Sequence, residues 1–275
     1  MEGGAMRGIF TAGVTDVMME NGVEFDGAIG VSAGAAFGCN YKSHQIGRSI
    51  RYNLRFCRDK RYASVWSWLT TGNLYGADFC YHEIPDTLDP FDKDTYNSSK
   101  MEFHLVCTDV FTGKPVYRLC MESNDEFCEL IRASASMPIA SRPVKVAGMT
   151  LLDGGMSDPI PVKYFESIGY NRNVVILTQP ISYVKEAPSN QRMMKLLLRK
   201  YPAIYRDVMN RHKVYNETTR YLREKEKRGE VFVVRPPLPL EIGKVEHDEK
   251  KLRKVYEIGR REAERVIEDM KAFLK

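Results

Sequence analysis

The sequence predicts an α/β fold in which helices cover a mainly parallel sheet. Two observations carry this expectation. Short apolar runs alternate with helix-period patterns through most of the 275 residues, which is the pattern that strand–helix–strand units write into a chain. No internal repeat or low-complexity linker interrupts the alternation, so a single domain over residues 1–275 is expected.

The elements follow in order. Residues 2–8 read Glu-Gly-Gly-Ala-Met-Arg-Gly, a glycine-rich turn that enters a helix pattern at once (Ile9, Phe10, Gly13, Val14, Val17, Met18) and stops at Asn21-Gly22. Residues 25–31 form a short apolar strand, and the small residues 32–38 continue it into a helix. Residues 103–107 and 116–119 are strands separated by Thr112-Gly113-Lys114, a turn signal that makes them a hairpin. Residues 125–135 fit a helix with Phe127, Leu130 and Ile131 on one face. Residues 149–152 and 173–178 look like buried strands, and a later strand at 230–234 ends at Pro236-Pro237. The last stretch, 248–274, spaces Leu252, Val255, Tyr256, Gly259, Ala263, Val266, Ile267, Met270 and Leu274 as an amphipathic closing helix.

Composition removes several classes of function. With 43% hydrophobic and 28% charged residues, the chain is neither disordered nor collagen-like nor a coiled coil. A net charge of +5 is too mild to indicate nucleic acid. No apolar run reaches the ~18 residues that span a bilayer, and no secretory signal opens the sequence. Six scattered cysteines, with no Cys-x-x-Cys pair and no His at ligand spacing, argue against a disulfide framework or a zinc site. A cytoplasmic protein, at most peripheral to a membrane, is expected, with no metal and no organic cofactor.

Residues 190–229 stand apart. They hold twelve Lys and Arg against four acids, a net +8, which leaves −3 for the rest of the chain. Met193, Met194, Leu196, Leu197 and Leu198 cluster among these cations. The favoured reading is a solvated helical face over the core. The sharper one is a basic, partly apolar cap over the active site that touches anionic lipid surfaces.

Three motifs carry chemistry. Gly30-Val31-Ser32-Ala33-Gly34 places a serine between a strand and a helix. Glycines two residues to either side permit the sharp turn that a nucleophilic serine needs. Taken alone, the motif also admits a lesser reading, a Gly/Ser/Ala-rich helix start with Ser32 as N-cap. The leading turn, with Gly3, Gly4, Ala5, Arg7 and Gly8, exposes amide groups at a helix N-terminus, suited to an anion or an oxyanion. No Lys-Ser/Thr closes it as in a nucleotide-binding loop. Asp153-Gly154-Gly155 ends a strand with a carboxylate at a glycine turn, which taken alone is an ordinary Asp-Gly turn.

In this order and at these spacings the three motifs resemble the patatin-like phospholipases, a family of serine–aspartate lipid acyl hydrolases. Thr108-Asp109, Thr112-Gly113 and the small-residue run at 133–138 extend the resemblance, which covers about residues 2–165. Ala5 stands where the family has a third glycine. The resemblance implies a three-layer patatin-like fold and a dyad with Ser32 as nucleophile and Asp153 as proton acceptor. Gly3, Gly4 and Ala5 would supply the oxyanion hole, with Arg7, Gly8, Gly30, Gly34, Gly154 and Gly155 as motif support. The substrate would be a phospholipid or another acyl ester. Arg7 could brace the turn, form a structural salt bridge or meet a substrate phosphate. The family carries a strand just before the glycine turn, so a turn without one is expected to be mobile. Two other readings stand beside this one: a non-catalytic lipid-binding or interaction protein on the same fold, and an α/β-hydrolase triad of Ser, Asp and His with His247 or His212 as base.

Overall fold

A computed structural model describes residues 1–275. In chain order the elements are α1 (Gly8–Glu20), β1 (Gly27–Val31), α2 (Ala33–Lys42), α3 (Arg48–Phe56), α4 (Val65–Thr71), α5 (Lys93–Ser98), β2 (Glu102–Asp109) and β3 (Pro115–Leu119). They continue as α6 (Asp125–Ser134), β4 (Val144–Val146), β5 (Met149–Asp153), α7 (Val162–Ser167), β6 (Asn173–Ile176), α8 (Gln191–Leu197), α9 (Pro202–Lys227), β7 (Val231–Val234) and α10 (Glu249–Leu274). No helix is long and apolar enough to cross a membrane.

The α/β layering matches the expectation, while strand direction is mixed rather than mainly parallel. One sheet runs β1-β2-β5-β4 with β3 also paired to β2, and a second pairs β6 with β7. Only β1/β2 and β6/β7 are parallel; β2/β3, β2/β5 and β4/β5 are antiparallel. For β2/β3 and β4/β5 connection length is the reason. A parallel crossover needs a dozen or more residues, and the tight links between β2 and β3 and between β4 and β5 permit only hairpins. The first is fixed by Asp109, whose Oδ1 accepts from the amides of Phe111 and Thr112 at 3.1 and 2.8 Å, before Gly113 turns with φ +72°.

Alternation along β2 supplies both faces. Phe103, Leu105 and Cys107 pack with Ala35 and Cys39 of α2 and with Phe127, Leu130 and Ile131 of α6. On the opposite face, Val106 packs with Ile29, Val31 and Phe165 of α7. The largest core lies beyond α2, between α1, α2, α3 and α10. The closing helix buries most of the stripe read from the sequence, Leu252, Val255, Tyr256, Gly259, Ala263, Ile267 and Met270, while Val266 and Leu274 are only partly buried at its edge. It crosses α1 closely because both contact points are glycine: a Cβ on Gly13 would lie 2.2 Å from the Tyr256 carbonyl oxygen, and one on Gly259 2.2 Å from that of Phe10.

The glycine turn is tied down on its N-terminal side, contrary to the expected mobility. Met1 N donates to the Ile29 carbonyl at 2.8 Å, and Val31 N donates to the Met1 carbonyl at 3.2 Å. Glu2 N donates to the Ile176 carbonyl at 3.0 Å, and the Glu2 carboxylate accepts from the Thr178 amide at 2.6 Å. Met1 and Glu2 therefore bridge β1 to β6 and supply the backbone pairing that a preceding strand would give.

Candidate active site

Ser32 stands at the elbow between β1 and α2 with φ 55° and ψ −121°. This is a positive-φ conformation outside the left-handed helical region, and such a sparsely populated backbone costs a non-glycine residue about 1–3 kcal/mol. The neighbouring glycines make it possible by close approach: a Cβ on Gly30 would lie 2.4 Å from the Gly34 carbonyl oxygen, and one on Gly34 2.5 Å from that of Met1. Ser134 locks the elbow from below. Its Oγ accepts from Ser32 N at 3.0 Å and donates to the Val106 carbonyl at 2.7 Å. The small-residue run at 133–138 thus has a specific task.

Asp153 ends β5 opposite Cys107 of β2. Its amide donates to the Ser136 carbonyl at 2.8 Å, its carbonyl accepts from Thr108 Oγ1 at 2.8 Å, and its Oδ1 accepts from Gly155 N at 2.7 Å. Gly154 is required because a Cβ there would lie 2.2 Å from the Val106 carbonyl oxygen. The Asp153 side chain is buried, and burial pushes its pKa upward against the opposing pull of Arg211, the Ser32 hydroxyl, the Gly155 amide and Lys244. The Ser32 hydroxyl is near enough to stabilise the carboxylate, yet no hydrogen bond of normal geometry closes between them.

The glycine turn packs directly on the elbow. A Cβ on Gly3 would lie 2.8 Å from both Ser32 Cβ and the Val31 carbonyl oxygen, and one on Gly8 2.7 Å from Ala33 Cβ. Gly4 approaches Thr178, whose Oγ1 donates to the Gly3 carbonyl at 3.0 Å. Ala5 adopts φ 51°, a conformation that favours glycine. The amides of Gly3, Gly4 and Ala5 donate to no acceptor within the chain, so they are available to an oxyanion.

Two pockets meet at Ser32. One is apolar: 18 of its 23 lining residues are hydrophobic, among them Met6, Phe37, Ile84, Phe127, Ile131 and Ala135. The other is polar and holds Asp153, Gly3, Gly4, Gly155 and the side chains of Glu2, Arg7, Lys185, Arg211, Tyr215 and Lys244. Ser32, Ala5 and Met137 line both. A hydroxyl, a desolvated carboxylate and unpartnered amides at such a junction can pass an acyl group through the serine oxygen.

Sequence reasoning missed Glu2, Lys185, Arg211, Tyr215 and Lys244. The charge excess over 190–229 was the one usable signal, and it pointed to a segment rather than a residue. That segment forms two helices, α8 and α9, and α9 does reach the site: Arg211 Nε donates to the Gly155 carbonyl at 2.6 Å. In α8 no residue is buried. Arg7 forms no ion pair within 4.0 Å, contrary to the salt-bridge reading, although Glu2 lies close enough to feel its charge. Neither histidine offered for a triad reaches Ser32. His247 is exposed, with Nδ1 2.5 Å from the Cys57 carbonyl oxygen, and no histidine lines either pocket.

Residues 1–166 match the family model described as patatin-like phospholipase, and residues 201–275 match a domain of unknown function, DUF6363. The chain is also 30% identical over 270 residues to the uncharacterized protein YjjU of Escherichia coli (strain K12), covering 94% of this chain and 73% of that protein.

Proposed function

The chain belongs to the patatin-like phospholipase family, and on that premise we propose that it is a lipid acyl hydrolase acting through an acyl-Ser32 intermediate with Asp153 as proton acceptor. Ser32 Oγ attacks the ester carbonyl carbon while its proton passes to Asp153. The carbonyl electrons move onto oxygen, where the amides of Gly3, Gly4 and Ala5 receive the negative charge; one such donor is commonly worth ~10²–10³ in rate. The C–O bond then breaks, and the leaving alkoxide takes the proton from Asp153. Water attacks the acyl-serine by the same route, giving its proton to Asp153 and then to Ser32.

The observation that carries this reading is the shared pocket of Ser32, Asp153 and the glycine turn, joined at Ser32 to an apolar pocket suited to an acyl chain. Burial raises the pKa of Asp153, which makes it a stronger base than an ordinary carboxylate with pKa ~3.9. A dyad without histidine suits esters better than amides. Exposed Trp66, Leu69, Met193, Leu196 and Leu197 are apolar groups suited to peripheral contact with a lipid surface.

Turnover of short-chain esters and phospholipids by the wild type, Ser32→Ala and Asp153→Asn tests the reading, together with fluorophosphonate labelling. Both variants should lose at least ~10³ in kcat, and Ser32→Ala should not label. Full turnover by Ser32→Ala would overturn the assignment. A wild type that neither labels nor turns over any ester would favour a non-catalytic lipid-binding protein.

A further inference from the structure

The polar pocket beside Ser32 gathers Arg7, Lys185, Arg211 and Lys244 around only two acids, Glu2 and Asp153. Both acids are buried and both have raised pKa values, burial being the main cause. None of the four cations forms an ion pair with a carboxylate, although the rest of the chain holds many such pairs. The buried Nε of Arg7 has no hydrogen-bond partner. Lys185 Nζ meets only ring faces, 5.3 Å from the centroid of Tyr215 and 5.9 Å from that of Tyr183. Its pKa is lowered to about 8, by burial first and then by Arg211, Arg7 and Lys244. Converging like charges that outnumber their counter-ions are unfavourable, and an anion in their midst relieves both the repulsion and the unmet donors.

Geometry assigns that anion to one half of the substrate. Asp153 lines the cationic pocket and not the apolar one. On the hydrolase reading Asp153 protonates the leaving alcohol, so the alcohol half lies among the cations and the acyl half lies in the apolar pocket. Lys185, Arg211 and Lys244 all fall beyond residue 166, outside the part of the chain that matches the family model. We propose that the cationic pocket binds a phosphate monoester on the alcohol half of the substrate, so that the preferred substrate is an acyl ester of a small phosphorylated alcohol. A choline headgroup, which carries its own cation, is disfavoured there. This inference rests on the hydrolase reading above.

The test compares kcat/KM for octanoyl-glycerol 3-phosphate and octanoyl-glycerol in the wild type, Lys185→Gln and the surface variant Lys244→Gln. Calorimetry alongside measures glycerol 3-phosphate and inorganic phosphate binding to the same proteins. The wild type should favour the phosphorylated ester by about tenfold or more, and each substitution should move that ratio toward one. Glycerol 3-phosphate should bind more tightly than inorganic phosphate, and more weakly to the variants. A ratio of one with no glycerol 3-phosphate binding overturns the proposal. Inorganic phosphate binding as tightly, with no preference between the esters, overturns it in favour of a free-phosphate site. Absence of Ser32-dependent turnover overturns the hydrolase reading instead. The binding arm then decides the anion pocket by itself: glycerol 3-phosphate binding that weakens in Lys185→Gln supports it, and no binding ends it.

Discussion

The guanidinium of Arg211 donates from Nε to the carbonyl oxygen of Gly155 at 2.6 Å. Through this bond α9 holds the turn that begins with Asp153, and it brings a positive charge to bear on that carboxylate. Arg211 acts on Asp153 in the direction opposite to burial, lowering its pKa. The ionised form is the base, so kcat/KM rises with pH through the Asp153 titration. Removing Arg211 raises that pKa further, and in Arg211→Gln the acid limb of the pH–rate profile should move to higher pH. Arg211→Lys should restore part of the shift, because it returns the charge without the planar donor. An unmoved acid limb in Arg211→Gln would leave Arg211 a purely structural role.

Asp153 is kept buried at a cost in stability. Its pKa is higher folded than in an unfolded chain, so the folded state loses stability as pH rises above the ordinary carboxylate range, ~3.9. Asp153→Asn removes this penalty. The inactive variant should therefore melt a few degrees higher than the wild type at pH 7, where ~1 kcal/mol corresponds to roughly 2–4 °C. The advantage should shrink toward pH 4. Equal melting at pH 7 contradicts the argument.

Gly3 has no room for a side chain. A methyl group there would meet Ser32 Cβ and the Val31 carbonyl oxygen, each at 2.8 Å. Gly3→Ala should push the turn off the elbow, lowering kcat by ~10²–10³ and stability by about 1–3 kcal/mol. Kinetics and urea denaturation measure both. Wild-type kcat in this variant would remove Gly3 from the oxyanion site.

Ala5 carries the reverse strain, since it holds φ 51° without being glycine. Ala5→Gly relieves a conformational cost of about 1–2 kcal/mol, offset by the roughly 0.4–1 kcal/mol of added unfolded-state entropy. A net gain of about 0.5–1 kcal/mol is expected from the same denaturation experiment.

The apolar pocket should set acyl length. Ala135 lines it near the C-terminal end of α6, and Ala135→Leu places three more carbons inside. Long-chain esters should lose about tenfold or more in kcat/KM relative to butyrate esters, in line with the 10–200-fold worth of a misplaced methylene. An unchanged chain-length profile would place the acyl chain elsewhere.

The parts of the molecule differed in how much a linear reading could extract from them. The elbow at Ser32, the turn at residues 2–8 and the turn after Asp153 were readable because backbone sterics confine them to a few residue types at short spacing. Gly30, Gly34 and Gly154 answer to contacts of 2.2–2.5 Å that no side chain tolerates. The stripe on α10 was readable for a similar reason, since burial against one neighbour imposes a period of 3.6 residues. Strand direction was readable only at the hairpin of β2 and β3, announced by its turn; the antiparallel pairing of β5 with β2 and β4 was not, because it depends on where each connection ends.

By itself, then, the sequence determined the order of the three motifs, the α/β alternation and the closing helix, all consequences of local backbone and burial rules. Tertiary structure alone decided that Met1 and Glu2 bridge β1 to β6, and that Lys185, Arg211 and Lys244 meet Arg7 beside Asp153. Those residues follow no shared spacing. Their charges converge because separate segments pack around one site, and distance along the chain carries no record of that packing.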